Sequence, residues 1–289
     1  MLVVTTIKEL QQVLSPYRSD NQTIGFVPTM GALHAGHQSL FSVARDHHDV
    51  VVVSIFVNPL QFGPGEDYET YPRQQALDEQ VARESGCDVL FCPTVGEMYP
   101  DGFPQVVHVK QGADVMCGRS RPGHFDGVAT VVLKLFSVVQ PNEAFFGEKD
   151  AQQLAIIKQL VKEFFLPITV TGCPTVREED GLARSSRNVY LTAEERRYAP
   201  LLYKALQKAQ ASGKRDPSIL VADVKATLAS IPVGEIDYVE AYEYPSLKKV
   251  NEANALIIVA FAYQFKKARL IDHIVMDFNN RGETPCSEQ

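Results

Sequence analysis

Short apolar runs alternating with longer amphipathic stretches govern the first half of this chain, and that alternation is the pattern of βαβ units around a parallel sheet. The runs "TIGFVPT" at 23–29, "DVVVVSIFVN" at 49–58, "CDVLFC" at 87–92 and "EAFFG" at 143–147 are the predicted strands. Within them "VVVVSIFV" and "AFF" offer almost nothing polar to either face, so both read as strands covered on two sides. Residues 150–165 give the clearest helix: Leu154, Ile157, Val161 and Phe164 recur at spacings of three and four, Asp150 sits where a cap belongs and Pro167 follows the end. Residues 123–140, opened by "RPGHFDG", read as another helix.

The character changes after Pro174. "VREEDGLARSSRNVYLTAEER" is polar and charged, the look of a loop that carries function or links domains. Helical stretches near 193–211 and 217–230 follow, then three alternating runs, "EIDYVEAYEY", "NALIIVAFAYQF" and "ARLIDHIVMDF". We therefore expect an α/β chain with a boundary near residue 175: a Rossmann-like parallel-sheet domain over 1–175 and a smaller α+β domain with an antiparallel sheet over 176–289. No internal repeat or low-complexity tract interrupts either part.

Composition narrows the function classes. With 28 Lys and Arg against 35 Asp and Glu, a net charge of −7 and a pI near 5.5, the chain lacks the clustered positive charge of a general nucleic-acid binder. The five cysteines, Cys87, Cys92, Cys117, Cys173 and Cys286, are odd in number and form no CxxC pair, which indicates neither a disulfide framework nor a zinc knuckle and suits a reducing, cytoplasmic setting. The N-terminus has no basic region followed by a long apolar one, and no window has the uncharged length of a membrane-spanning helix.

The stretch "GFVPTMGALHAGHQSLFSVA" at 25–44 raises the question of chemistry. Read as strand, loop and helix, with the helix starting around Gly36 or His37, it puts His34 and His37 at the C-terminal end of a parallel strand, where ligands of open α/β sheets collect. A helix N-terminus supplies unsatisfied N–H groups and a positive dipole end, both suited to phosphate oxygens, and two imidazoles would add donors. Two ordinary helix-start histidines or a metal site are the competing readings, although no HExxH spacing completes a coordination set. Other strand ends carry polar groups too: Asn58 and Gln61 in "NPLQF", and Lys149, Asp150 and Gln153 in "GEKDAQQ". Singly, Asp150 is a helix cap, Gln153 a solvated glutamine and Lys149 a surface lysine; together they would converge on one crevice. "LARSSRNVYL", with Ser185, Ser186 and Arg187, reads either as a donor-rich loop that folds over phosphates or as a polar linker.

In order along the chain, "VPTMGALHAGH", "VVSIFVNPLQFGPGEDYETYPR", "SRPGHFDGVATVV", "FFGEKDAQQL", "DGLARSSRNVYL" and "ARLIDHIVM" closely resemble the pantoate–β-alanine ligase family of the nucleotidyltransferase superfamily. The resemblance implies a two-step reaction with ATP and Mg²⁺, in which pantoate forms pantoyl adenylate with release of pyrophosphate and the amine of β-alanine then displaces AMP. It implies that His34, His37, Lys149, Ser185, Ser186 and Arg187 are the catalytic donors, His37 being the position usually assigned as proton donor. Met30, Gly31, Gly147, Glu148, Asp150, Val176 and Arg184 match positions lining the ATP site, although Arg184 stands where Met or Leu is common, so its role stays open. Gln61 and Gln153 match positions that bind pantoate, with Asn58 in the same pocket and Arg121 and His124 lining the substrate region. Asp78 falls where the family places a carboxylate near Mg²⁺. The resemblance further implies a smaller domain that closes over the site, and a cytoplasmic homodimer.

Three other readings compete: another adenylyl- or cytidylyltransferase of the superfamily, a nucleotide-binding regulatory module without catalysis, and a tRNA-binding synthetase fragment. Gln61, Gln153 and "NPLQF" oppose the first, the intact His34, His37, Lys149 and "SSR" the second, and the acidic pI the third.

Overall fold

A computed structural model of the chain describes residues 1–251 and 256–278; Cys286 and the first two residues of the run "NALIIVAFAYQF" lie outside the described residues. The chain divides into two compact units, one formed by Met1–Glu178 with Ala183–Ser186, the other by Glu179–Leu182 with the residues from Arg187 onward.

The first unit holds β1 (Leu2–Val4), α1 (Ile7–Ser19), β2 (Ile24–Thr29), α2 (Ala35–His47), β3 (Val50–Ile55), α3 (Gln75–Glu84), β4 (Val89–Phe91), α4 (Val95–Met98), α5 (Met116–Ser120), α6 (His124–Val139), β5 (Glu143–Gly147), α7 (Ala151–Glu163) and β6 (Thr169–Cys173). All six strands are parallel, in the order β1-β4-β3-β2-β5-β6. From β2 the chain moves to β3 on one side and later returns to β5 on the other, so the switch point of the sheet lies between β2 and β5.

The period of two along each strand divides the core between the faces of the sheet. On one, Val27, Val51, Val53, Leu90 and Phe145 meet Leu40, Phe41 and Ala44 of α2 and Ala82 of α3. On the other, Phe136 of α6 stands edge-on to both Phe26 and Phe146, with ring centroids 6.4 Å apart in each pair. This two-sided cover is what the runs "VVVVSIFV" and "AFF" predict. Strands β1 and β6 were not predicted, because β1 is three residues long and mostly exposed while β6, "TVTGC", is polar and only partly buried.

The second unit contains α8 (Ala193–Tyr198), α9 (Pro200–Ala211), α10 (Pro217–Ala229) and a three-stranded antiparallel sheet of β7 (Glu235–Glu243), β8 (Leu256–Gln264) and β9 (Arg269–Asp277), in that order. Its core joins Leu202, Leu206, Leu220, Val224 and Leu228 from the helices to Val239, Ile257, Val259, Phe261 and Ile274 from the sheet. The single helix predicted near 193–211 is two, because Pro200 has no N–H to donate and opens a new helix at its first turn. Among the described residues no helix is long and apolar enough to cross a membrane.

Candidate active site

Every parallel strand must hand its chain on at its C-terminal end, and the turn after β2 does so with a histidine in the capping role. His34 is the N-cap of α2: its Nδ1 accepts from the Gly36 N–H at 3.1 Å, while its own N–H donates to Nδ1 of His37 at 3.3 Å. The two side chains thus form a reciprocal capping box, the job usually done by Ser or Thr with Glu, and their rings lie 4.1 Å apart. The helix starts at Ala35, slightly earlier than expected.

A neutral imidazole that accepts at Nδ1 carries its proton on Nε2. Burial, reinforced by the ammonium of Lys149 and the guanidinium of Arg184, lowers His34 to about 4. Burial, with His34 and Lys149 as neighbours, lowers His37 to about 3. At neutral pH both rings are therefore uncharged, and each turns an N–H away from the helix end that its Nδ1 serves.

The loop before the cap takes two left-handed residues, Gly31 (φ 83°) and Ala32 (φ 50°). Asp78 of α3 holds that shape, accepting from the Ala32 N–H at 3.0 Å with one carboxylate oxygen and from the Leu33 N–H at 2.7 Å with the other. A Cβ on Gly31 would come within 2.9 Å of Asp78 Oδ2, so glycine is required there twice over. Asp78, expected near Mg²⁺, is 1% exposed, and both of its carboxylate oxygens are engaged in shaping this loop. Among the described residues no three His, Cys, Asp or Glu side chains form a group that could hold a metal ion.

After β3 the chain enters a 3₁₀ turn, Pro59–Gln61, capped by Asn58. Asn58 Oδ1 accepts from the Leu60 N–H at 3.3 Å and from the Tyr99 hydroxyl at 2.8 Å; its Nδ2 donates to the Gly127 carbonyl at 3.0 Å and to Gln61 Oε1 at 3.3 Å. With two donors and two acceptor positions all used, Asn58, expected in the substrate pocket, is engaged within the fold and shapes the turn that carries Gln61. Gln61 does have capacity, because among the described residues its Nε2 donates to the Met30 thioether, at 2.8 Å. Sulfur is a weak acceptor that a ligand oxygen readily replaces.

Arg121 and His124 also serve Gln61, through its backbone. The Gln61 carbonyl accepts from Arg121 Nη2 at 3.1 Å and from His124 Nδ1 at 2.7 Å. His124 Nε2, left as an acceptor, takes a hydrogen bond from Arg121 Nη1 at 3.1 Å, and burial with the adjacent guanidinium lowers this ring to about 4. Arg121 also grips both oxygens of Glu66, at 2.8 and 2.5 Å. These contacts brace the turn that presents Gln61, and the same contacts explain why Arg121 and His124 sit beside the expected substrate pocket.

At the end of β5, Gly147 leads into a 3₁₀ turn, Glu148–Asp150, and then α7. Asp150 holds the N-cap position without a capping hydrogen bond; its carboxylate lies 3.4 Å from Lys149 Nζ. β2 and β5 are paired parallel neighbours, and the Lys149 ammonium at the end of β5 helps to lower both imidazoles at the end of β2. Gln153, one turn into α7, is half-buried. Its neighbour Gln152 is a residue the sequence reading missed: buried, it accepts from the Cys117 N–H at 3.0 Å and donates to the carbonyls of Gly112 and Val115, both at 2.8 Å. The doubled glutamine was the available signal.

The serine-rich stretch divides between the units. The Val176 carbonyl accepts from the Arg184 N–H at 2.9 Å, and the Ser186 hydroxyl lies 3.4 Å from that of Tyr71. Arg184, Ser185 and Ser186 count with the first unit, Arg187 with the second.

A family model described as Pantoate-beta-alanine ligase matches residues 2–275. The chain belongs to this family. Among its ligase relatives, the pantothenate synthetase of Shouchella clausii is 66% identical over 97% of this chain and 93% of that protein. The pantothenate synthetase of Bacillus subtilis is 51% identical over 96% of this chain and 98% of its own length. In fold the chain is similar to the crystal structure of pantothenate synthetase from Thermus thermophilus, with a TM-score of 0.87 and 45% identity over 95% of this chain and 99% of that one. A pantoate-beta-alanine ligase from Francisella tularensis, solved in complex with beta-gamma ATP and beta-alanine, gives a TM-score of 0.79 and 38% identity over 95% of this chain and 97% of the other.

Proposed function

We propose that this ligase-family chain condenses (R)-pantoate with β-alanine in an ATP-dependent, AMP-forming reaction that yields pantothenate by way of pantoyl adenylate. The observation that carries the reading is the reciprocal histidine cap at the switch point, two uncharged imidazoles with outward N–H donors beside Lys149. A carboxylate is a poor acylating agent until one of its oxygens becomes part of a good leaving group. Attack of the pantoate carboxylate on the α-phosphorus of ATP achieves that, expelling pyrophosphate and leaving the acyl group joined to AMP. The β-alanine amine then adds to the acyl carbon, AMP departs with the bonding electron pair, and the nitrogen loses its proton as the amide forms.

Charge accumulates on phosphate oxygens in the first step, so fixed donors matter most. In this reading His34 and His37 donate from Nε2, Lys149 supplies a full charge, and Ser185, Ser186, Arg184 and Arg187 complete the phosphate contacts. Met30, Gly31, Gly147, Glu148, Asp150 and Val176 line the nucleotide, and Gln61 and Gln153 bind pantoate through their amides. A His37 ring at about 3 in the free protein favours hydrogen-bond donation over proton transfer as its part in adenylation. Mg²⁺ would be held mainly by the ATP phosphates and would offset the charge that builds on them.

The roles of the two parts of the chain, nucleotide and pantoate binding over 1–175 and a lid over 176–289, belong to the same proposal, as do a cytoplasmic setting and a homodimer, which light scattering checks. The deciding experiment supplies ATP, Mg²⁺ and pantoate with and without β-alanine. Pyrophosphate release that depends on pantoate, with AMP and pantothenate formed only once β-alanine is added, is the expected result. A folded, ATP-binding protein that releases neither would overturn the proposal.

A further inference from the structure

Tyr99 belongs to none of the motifs singled out by sequence. It follows α4, and its hydroxyl donates to Asn58 Oδ1 at 2.8 Å from a position where the residue is 6% exposed. The ring is held edge-on to Phe103 at 4.8 Å, with the Lys134 ammonium 5.1 Å from its centroid, so the hydroxyl is aimed by packing. Burial raises the phenol above its ordinary range, and it stays a donor across the working pH.

The atoms beyond Tyr99 form a chain of fixed polarity. Two donors, the Tyr99 hydroxyl and the Leu60 N–H, demand the oxygen of the Asn58 amide, and the Gly127 carbonyl demands its nitrogen. The second N–H of Asn58 then demands the oxygen of Gln61, and Gln61 is left to present its NH₂ beside Met30. A glutamine amide has nearly the same shape in either orientation but opposite hydrogen-bonding character. Which end it offers a substrate oxygen is thus decided two residues away, in a buried network where an unmatched partner is costly.

We propose that Tyr99 is a positioning residue for pantoate, acting through Asn58 to hold the Gln61 amide with its donor end toward the substrate. This rests on the reading of Gln61 as a pantoate ligand. Tyr99→Phe removes one oxygen and keeps the ring, so folding is followed by thermal melting while steady-state kinetics are measured in the parent protein and in Gln61→Ala. Tyr99→Phe is expected to raise the KM for pantoate about fivefold, the size of one net hydrogen bond, with the KM for ATP unchanged. In the Gln61→Ala background the same substitution should add nothing further.

Three results would overturn the proposal. A pantoate KM unmoved by Tyr99→Phe but raised by Gln61→Ala removes Tyr99 alone. Equal changes in both substrates' KM, or full additivity with Gln61→Ala, make Tyr99 a general packing residue. No effect of Gln61→Ala on pantoate removes the underlying reading of Gln61, and the role of Tyr99 falls with it.

Discussion

The most informative residues are the paired histidines, because one set of hydrogen bonds decides both their charge and their direction. Each Nδ1 is committed to a backbone N–H of the helix start, so each Nε2 carries the remaining proton. Nitrogen-15 spectra of histidine-labelled protein should show these two rings in the Nε2–H tautomer, His34 titrating at about 4 and His37 at about 3 against about 6.5 for free histidine; either of the two titrating near 6.5 would contradict the geometry. His37→Ala is expected to leave the fold intact and lower kcat for pantoate-dependent pyrophosphate release by roughly 10²–10³, the usual loss for one preorganised donor. Turnover near that of the parent would remove His37 from the chemistry. Gln61 and Asn58, three positions apart, make the complementary point: the first keeps a free donor end and the second keeps nothing, a distinction that neither side chain's identity predicts.

At the scale of elements, the loop from β2 to α2 is shaped by α3. Asp78 reaches across to two successive N–H groups, and this contact makes the left-handed pair Gly31 and Ala32 tolerable. Asp78→Asn turns an NH₂ toward an N–H that needs an acceptor, which should cost about 1–3 kcal/mol of stability and lower kcat/KM for ATP. If the carboxylate serves the loop alone, the Mg²⁺ concentration that half-saturates the reaction should not change; a marked rise in that concentration would make Asp78 a metal ligand as well. The same dependence of turn on helix recurs at Gly127 of α6, where a Cβ would come within 2.4 Å of the Leu60 carbonyl in the turn that bears Gln61. Close backbone approach, not loop flexibility, is what that glycine secures.

For the whole molecule, three partly buried imidazoles in the first unit make stability depend on pH. His34 and His124 lie at about 4 and His37 at about 3, against about 6.5 in an unfolded chain. Between those values the unfolded chain binds protons that the folded one does not, so stability rises with pH through that window. Urea unfolding should therefore show a loss that begins as pH falls through about 6.5, at roughly 1 kcal/mol per pH unit for each such ring, and levels off only near the folded values; stability flat from pH 7 to 5 would mean that the rings are not buried neutral. The parallel sheet, the antiparallel sheet near the C-terminus and the convergence of His34, His37 and Lys149 were all legible in the sequence, since each follows from the periodicity of apolar residues and from the rule that parallel strands end on one edge. Strands β1 and β6 were not, because short or polar segments become strands only when a neighbour supplies hydrogen-bonding partners. Nor was the division of labour among the polar residues. Asn58 is spent on Tyr99 and Gly127, 41 and 69 positions away, Arg121 on Glu66 at a separation of 55, and Asp78 on Ala32 and Leu33 at 46 and 45. Sequence by itself determined which chemistry this chain carries, through motifs that are local; only the tertiary structure decided which polar groups remain free to perform it, because hydrogen-bonding capacity is consumed by partners that folding brings from far along the chain.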